Sequence, residues 1–284
     1  MDVLIVIPAR YASTRLPGKP LQKIAGIEMI RRVAKISQFI CDATSELTIH
    51  YVVATDDPRI ADFCQNVSIP AVMTLSTCRN GTERCLDAVR KLRNPLFHSP
   101  DLVINLQGDN PLCPPEMVQS LINAWLHDEA TGQFADLYTP YVPLSWEAYD
   151  RLVEAKKTTP YTGTTVLVNR DGLAMAFSKS ILPVMRKPDS VRNRLSISPI
   201  RQHIGLYAYR LETLEQYPSL SISQEEQNDL EGLEQLRFLY HGRKIRMVEV
   251  EPKDRPFMGG IDSPEDIVRA ENFLRDYGDP WFAP

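Results

Sequence analysis

The feature that most constrains this chain is an apolar, mostly β-branched run that leads directly into a cationic loop. Residues 3–7 read VLIVI, a pattern typical of a strand buried on both faces of a parallel sheet. The loop that follows carries three cations, Arg10, Arg15 and Lys19, and the small hydroxyl residue Ser13 lies among them. Open α/β sheets bind ligands in the loops at the carboxyl ends of their strands. Three cations in such a loop predict a polyanionic ligand, and a nucleoside triphosphate fits this charge.

Strand and helix patterns alternate over the first half of the chain. Residues 47–54 and 102–106 have the apolar composition of buried strands. Residues 28–39 and 81–92 carry apolar side chains at helical spacing. Strands that alternate with helices of this length predict an α/β fold with a doubly wound, mostly parallel sheet.

The change in pattern along the chain predicts three regions. Residues 1–134 form a nucleotide-binding α/β half. Residues 135–210 are richer in short β-like runs and turn residues, which predicts a smaller antiparallel arm or lid. Residues 211–284 return to the α/β core, with one helix predicted over residues 225–240 and another over residues 264–275.

Two aspartates follow predicted strands, Asp109 in LQGDNP and Asp262 in GGIDSPED. We expect both to face the same crevice as the cationic loop, because parallel strands present their carboxyl ends at one edge of the sheet. Magnesium in triphosphate sites prefers carboxylate and phosphate oxygens. Taken singly, each aspartate also has a bland interpretation as a turn residue, and the three cations have one as a solvated surface loop. Together they predict one site that handles phosphoryl groups.

Composition and charge exclude several classes of partner. The formal net charge is −4, so no global basic field favours nucleic acid. No apolar run approaches the roughly 20 residues that a membrane-spanning helix needs. The five cysteines are scattered and form no zinc-binding pattern. These features predict a cytoplasmic protein with no membrane or nucleic-acid partner.

Eight segments occur in the order found in one enzyme family: IPARYASTRLPGKPL, VVATDD, NGTER, VINLQGDNPL, FSKSILP, HIGLYAYR, LEQLR and GGIDSPEDI. The chain resembles the 3-deoxy-manno-octulosonate (Kdo) cytidylyltransferases from Val3 to about Leu274. The resemblance implies a Mg²⁺-dependent transfer of CMP from CTP to an acidic acceptor, most simply Kdo, with release of pyrophosphate. It also implies lipopolysaccharide biosynthesis, acceptor binding in the arm and a homodimer.

The resemblance also implies roles for individual residues. The catalytic set is Arg15, Lys19, Asp109 and Asp262, of which Asp109 and Asp262 are the metal ligands. The nucleotide-binding set is Arg10, Ser13, Arg15, Lys19, Asn80, Gly81, Arg84 and Gln107. The acceptor-binding set is Lys179, His203, Tyr207, Glu234 and Gln235, with His203 as a hydrogen-bonding group and not a base.

Four positions depart from the family pattern: Cys78, Asn110, Lys179 and Gln202. Lys179 replaces an arginine, which exchanges a planar fork of donors for a point charge. One interpretation is neutral drift in an enzyme for Kdo. The alternative is a different acidic acceptor (an amino-substituted octulosonate, another sugar acid or a phosphonate). For the chain as a whole, two rival hypotheses are a nucleotidyltransferase that uses UTP or GTP and a non-catalytic nucleotide-binding relative.

Overall fold

The computed structural model describes residues 1–12, 15–44, 46–92, 99–228, 230–251 and 257–282, with Glu225 described by its backbone alone. The chain divides into two compact units. The first comprises Met1–Gln119, Ala208–Glu215 and Lys253–Pro284, and the second comprises Ser120–Tyr207 and Gln216–Pro252. The roles assigned to the three predicted regions remain predictions.

The first unit contains a parallel sheet with β1 in its interior. Its strands are β1 (Asp2–Ala9), β4 (Thr48–Thr55), β5 (Ala71–Met73) and β6 (Leu102–Leu106), in the order β5-β4-β1-β6. Residues 3–7 are at most 1% exposed, as the VLIVI pattern predicts for a strand covered on both faces. Because β1 pairs with β4 on one side and β6 on the other, the loops after β1 and β6 leave the same edge of the sheet.

Helices and a small hairpin complete the first unit. The hairpin is β2 (Lys23–Ile24) with β3 (Ile27–Glu28), and a 3₁₀ turn spans Lys19–Leu21. The helices are α1 (Met29–Ala43), α2 (Pro58–Asn66), α3 (Gly81–Leu92), the start of α4 (Pro115–Thr131), most of α7 (Leu211–Gln216) and α10 (Pro264–Tyr277). The predicted apolar positions of α1, including Ile30, Val33 and Ile36, are fully buried.

The second unit is built around a mainly antiparallel sheet. Its strands are β7 (Leu137–Pro143), β8 (Thr164–Val168), β9 (Ala174–Ser178), β10 (Arg201–His203), the start of β11 (Leu206–Arg210) and β12 (Ile245–Glu249). The pairs β7–β10, β10–β8 and β8–β9 are antiparallel, and β12 runs parallel to β7. The predicted combination of a mostly parallel α/β sheet with a smaller antiparallel part is confirmed.

Two expectations for the second unit need correction. The helix predicted over residues 225–240 is wrong, because the structure has two short helices, α8 (Gln224–Gln227) and α9 (Leu236–Tyr240). Glu231 and Gly232 lie between them with φ angles of +61° and +59°, which no helix accommodates. The region predicted as strands and turns, residues 135–210, also contains α5 (Trp146–Thr158) and a short α6 (Pro188–Arg192). A 3₁₀ turn at Tyr217–Ser219 follows α7.

All five cysteines are free thiols. None of the helices in the described part of the chain has the length and apolarity that a bilayer crossing requires.

Candidate functional site

Hydrophobic packing in the first unit fixes two of the three segments that carry the predicted charges. Leu16 and Ile261 belong to one buried cluster that also contains Met29 and Leu274. Leu16 directly follows Arg15, and Ile261 directly precedes Asp262. A well-packed cluster permits little side-chain displacement. The packing of Leu16 and Ile261 in this cluster therefore holds Arg15 and Asp262 in place.

Lys19 joins the two predicted metal carboxylates. Its Nζ atom lies 2.8 Å from Asp109 Oδ2 and 2.9 Å from Asp262 Oδ1. Arg15 reaches the same oxygen of Asp262, with its Nη2 atom at 3.1 Å. These four residues, which we call the cation–carboxylate cluster, come from three segments that are distant in sequence.

The electrostatics of the cluster favour a cation between the two carboxylates. Burial alone lowers the pKa of Lys19, but the charges and hydrogen bonds of Asp109 and Asp262 outweigh burial and raise that pKa. The Lys19 side chain is only 13% exposed, whereas that of Arg15 is 68% exposed. Lys19 is therefore a partly buried, permanently charged group, and Arg15 extends toward solvent.

Local backbone contacts hold both aspartates. Gly108, directly before Asp109, donates its N–H to the carbonyl of Pro8 at 3.3 Å. A Cβ atom on Gly108 would lie 2.6 Å from that carbonyl oxygen, so only glycine lets this turn approach β1 so closely. The Ile261 N–H donates to the carbonyl of Asp109 at 2.9 Å, which ties the two carboxylate-bearing segments to each other.

The N-terminus of α10 fixes Asp262. The Asp266 carboxylate accepts the backbone N–H groups of Asp262 and Ser263 at 2.8 and 3.0 Å. The Ser263 hydroxyl accepts the N–H of Asp266 in return, which completes a capping box. Asp262 therefore lies directly before a well-capped helix.

The N-terminus of α3 lies against the end of β6. A Cβ atom on Gly81 would lie 3.0 Å from both Asn105 Nδ2 and Gln107 Nε2. The absence of a side chain on Gly81 thus lets the N-terminus of α3 lie this close to Asn105 and Gln107. The structure therefore brings the predicted pair Gly81 and Gln107 together. Both polar side-chain atoms of the fully buried Asn105 have no hydrogen-bond partner within the described residues.

Arg84 and Asn80 have local structural contacts in the same region. Arg84 is 4% exposed, and its guanidinium donates to Asp56 Oδ2 at 3.0 Å and to Thr74 Oγ1 at 2.6 Å. Asn80 Oδ1 accepts the N–H of Glu83 at 2.9 Å, as an N-cap side chain does. Arg84 therefore ties α3 to the ends of β4 and β5.

Two residues of the predicted nucleotide-binding set remain. Arg10 is exposed directly after β1. Ser13 lies outside the described residues.

In the second unit, His203 is buried and contacts Thr139. The Thr139 hydroxyl lies 2.8 Å from His203 Nε2 and 2.8 Å from the Leu206 carbonyl oxygen. A hydroxyl has one proton. In the tautomer in which Thr139 donates that proton to the Leu206 carbonyl, Nε2 donates to Thr139 and Nδ1 is the hydrogen-bond acceptor of the ring.

The charge state of His203 follows from its surroundings. Burial, reinforced by the positive charge of Lys179, lowers the pKa of His203 to about 3. The ring is neutral at physiological pH. It also packs edge-on against Phe177, with ring centroids 4.9 Å apart, which fixes its plane.

Tyr207 and Gln235, both of the predicted acceptor-binding set, are in contact. The Tyr207 hydroxyl donates to Gln235 Oε1 at 3.0 Å. Burial, with the negative charge of Glu234 as a further cause, raises the pKa of Tyr207 well above its ordinary value. Gln235 is 1% exposed, and its Nε2 atom has no hydrogen-bond partner within the described residues. Tyr207 and His203 are also neighbours, with ring centroids 5.7 Å apart.

Sequence reasoning missed Thr139, Asn105 and Asp56. Asp56 stands in the VVATDD segment directly after a predicted strand, which is a position that could have signalled it. Asn105 is a polar residue inside an apolar strand, which is a second usable signal. Thr139 carries no signal in the sequence, because its partner His203 lies 64 residues away.

Comparison with known proteins decides the family. A family model described as cytidylyltransferase matches residues 4–245. The 3-deoxy-manno-octulosonate cytidylyltransferase of Maricaulis maris is 43% identical over 98% of this chain and 99% of its own length. The chain belongs to the 3-deoxy-manno-octulosonate cytidylyltransferase family. The enzyme of the same name from Dichelobacter nodosus is 37% identical over 95% of this chain and 96% of its own length.

A solved structure supports the same assignment. The CMP:2-keto-3-deoxy-manno-octonic acid synthetase complexed with CTP has a TM-score of 0.78 and 32% identity, covering 97% of this chain and 99% of that one. A cytidylyltransferase from Leptospira borgpetersenii, 16% identical with a TM-score of 0.59, shows the shared fold alone. This member of the cytidylyltransferases is therefore a nucleotidyltransferase.

Proposed function

We propose that this cytidylyltransferase transfers CMP from CTP to Kdo and releases pyrophosphate, with Mg²⁺ as its metal. The observation that carries the proposal is the single ammonium of Lys19 held between Asp109 and Asp262. Relatives that cover almost the whole chain are named for Kdo, which supports this acceptor. The exposed apolar side chains of Tyr161, Met175 and Val184 support the further proposal of a homodimer.

The two carboxylates fit a magnesium ion. Both oxygens lie within 2.9 Å of the Lys19 ammonium, so the two carboxylates converge closely enough that they would hold one Mg²⁺ together once that ammonium turns to the phosphates. Magnesium takes one or two carboxylates and completes its shell with water and phosphate oxygens. Asp109 and Asp262 are the residues that would hold it, and when bound it supplies charge stabilisation at the reacting phosphate.

The remaining cations stabilise the triphosphate in this proposal. The reaction is an in-line attack by an acceptor hydroxyl on the α-phosphorus, and the leaving group is a highly charged pyrophosphate. Lys19 and Arg15 neutralise that charge, with Arg10 and Ser13 as further groups of the loop. Positioning and electrostatic stabilisation supply most of the rate enhancement in reactions of this kind.

Gly81 and Gln107 form the proposed nucleotide wall with Asn80 and Arg84. Gly81 leaves space above the amide of Gln107 because a side chain at this position would contact it at 3.0 Å. A carboxamide offers both a donor and an acceptor, as the edge of a pyrimidine requires. Arg84 contributes through the position of α3, because its guanidinium contacts Asp56 and Thr74.

The acceptor side recognises a polyhydroxy acid. The neutral His203 offers Nδ1 to a sugar hydroxyl, and Gln235 offers amide hydrogens to an oxygen of the acceptor. Lys179 supplies a positive charge for the carboxylate, with Tyr207 and Glu234 completing the set. A buried imidazole with a pKa near 3 is too weak a base to take a proton from a hydroxyl at neutral pH, so His203 orients the acceptor.

A second candidate is a different acidic acceptor. The observation that favours it is the presence of a lysine at position 179, where the family pattern has an arginine. The point charge of a lysine side chain tolerates more acceptor geometries than the planar guanidinium of an arginine does. Cys78, Asn110 and Gln202 are further departures, and nothing in the structure explains them.

An acceptor panel tests both candidates. The purified protein is incubated with CTP and Mg²⁺ and with Kdo, its 8-amino analogue or a simple phosphonate, and pyrophosphate release is measured. The largest kcat/KM with Kdo supports the first candidate, and a larger value with another acceptor supports the second. No release with any acceptor contradicts both candidates.

A further inference from the structure

The backbone of Lys179 is held by two charged side chains of opposite sign. Lys179 follows the last residue of β9. Its N–H donates to Glu231 Oε2 at 2.5 Å, and its carbonyl accepts from Lys156 Nζ, also at 2.5 Å. Hydrogen bonds to charged groups are the stronger kind, so both polar groups of this peptide segment are fixed.

Lys156 connects Lys179 to the loop that follows α5. Its ammonium also donates to the carbonyls of Gly163 at 3.1 Å and Pro160 at 3.2 Å, and to that of Thr162. An ammonium has three protons and no acceptor, so a cage of carbonyl oxygens satisfies it fully. Burial, with the charge of Lys179 as a further cause, lowers the pKa of Lys156.

Glu231 reaches Lys179 from the segment that leads to Glu234 and Gln235. Its other carboxylate oxygen, Oε1, accepts from the Ser178 hydroxyl at 2.6 Å. Glu231 has a φ angle of +61°, a left-handed conformation that a residue with a side chain adopts only when its surroundings hold it there. The contacts to Ser178 and Lys179 are such surroundings.

Lys179 acts on the buried histidine of the acceptor side. The charge of Lys179 is the second cause, after burial, of the low pKa of His203. Phe177, two residues before Lys179, packs against the ring of His203. Lys179, Lys156, Glu231 and Tyr161 also line a cavity of about 970 Å³, which is a volume typical of small-molecule sites.

We propose that Lys156 and Glu231 are positioning residues that set where the Lys179 ammonium lies during acceptor recognition. An arginine fork carries its own geometry, whereas a lysine is a point charge on a flexible stem. Anchoring the backbone fixes the point from which that stem extends, and so limits the positions that the charge can take. This inference rests on the proposed function for its link to Kdo.

The first test separates acceptor binding from nucleotide binding. Lys156→Gln is compared with Lys157→Gln, because Lys157 is the neighbouring lysine, is 65% exposed and pairs at the surface with Glu154. We expect Lys156→Gln to raise the KM for Kdo by about tenfold. The KM for CTP stays unchanged, and so do both constants in Lys157→Gln. An equal rise in both KM values for Lys156→Gln overturns the inference.

A double-mutant cycle tests whether Lys156 acts through Lys179. If it does, adding Lys156→Gln to Lys179→Met causes no further rise in the KM for Kdo. Two effects that multiply independently overturn the inference.

A substrate-free measurement keeps the inference separate from the identity of the acceptor. We expect hydrogen exchange of the peptide covering residues 176–183 to be faster in Lys156→Gln and Glu231→Gln than in the wild type and Lys157→Gln. Unchanged exchange overturns the positioning role. If the wild type does not use Kdo, the proposed function fails, while the exchange result still decides whether Lys156 and Glu231 hold Lys179.

Discussion

Lys19 is the residue on which the cation–carboxylate cluster depends. Its ammonium contacts Asp109 and Asp262 at once, although these residues lie 90 and 243 positions away in the chain. The sequence shows three cations and two aspartates but not which cation pairs with which aspartate, because that choice depends on how the loop packs through Leu16.

Replacing Lys19 tests the proposed triphosphate contact. We expect Lys19→Ala to weaken CTP binding by at least about tenfold, because it removes a charge-assisted contact to phosphate. Lys23→Ala is the matched control, since Lys23 is 61% exposed and pairs with Glu28. Isothermal titration with CTP and Mg²⁺ measures both, and equal affinities for the two variants contradict the role given to Lys19.

His203 makes the stability of the fold depend on pH. The pKa of His203 is about 3 in the folded protein, whereas the ordinary value for histidine, which applies to the unfolded chain, is 6.5. Between these two pH values the unfolded chain therefore binds one more proton than the folded chain does. The contribution of the neutral His203 to the free energy of unfolding is complete above about pH 6.5 and is lost as the pH falls toward 3.

A variant without the titrating ring tests this dependence. We expect the His203 contribution to the free energy of unfolding to fall by about 2 kcal/mol between pH 7 and pH 5. His203→Gln, which keeps a donor for Thr139, should lack this part of the pH slope. Urea unfolding at both pH values measures the difference, and identical slopes for wild type and variant count against a neutral buried His203.

At the scale of elements, local signals predict the first unit better than the second. The predicted helix at 81–92 coincides with α3, and the predicted helix at 264–275 begins where α10 begins. Helix α3 has a strong apolar stripe, and α10 has a strong N-cap. In α5 only Leu152 is buried, so its apolar pattern is weak.

The break between α8 and α9 has a non-local cause. Glu231 adopts its left-handed backbone while its carboxylate contacts Ser178 and Lys179, more than fifty residues earlier. A helical pattern over residues 225–240 contains no information about those partners. The same limit applies to the acceptor side in general, where Thr139 and Lys156 act through contacts distant in sequence.

The capping box of α10 links stability to the proposed metal site. We expect Ser263→Ala to lower the free energy of unfolding by about 1 kcal/mol, as loss of an N-cap does. It should also raise the Mg²⁺ concentration needed for half-maximal pyrophosphate release, because Asp262 directly precedes this cap. Ser145→Ala, which removes the cap of α5, is the control with a similar loss of stability. The same Mg²⁺ requirement in both variants contradicts the link.

At the scale of the whole molecule, each unit carries one of the proposed binding sets. The cation–carboxylate cluster and the wall at Gly81 and Gln107 belong to the first unit. Lys179, His203, Tyr207, Glu234 and Gln235 belong to the second. The sequence resemblance predicted both sets, while the internal contacts of each set are visible only in the structure.

CMP transfer from CTP to Kdo at the cation–carboxylate cluster is the reaction proposed for this enzyme. The most direct measurement follows pyrophosphate and CMP-Kdo together, with CTP, Kdo and Mg²⁺, for the wild type and for Asp109→Asn. We predict equal amounts of both products from the wild type, no release without Kdo, and background rates for the variant, which keeps the size of the side chain but not its charge. Wild-type rates in Asp109→Asn, or pyrophosphate release that does not require Kdo, would contradict the claim.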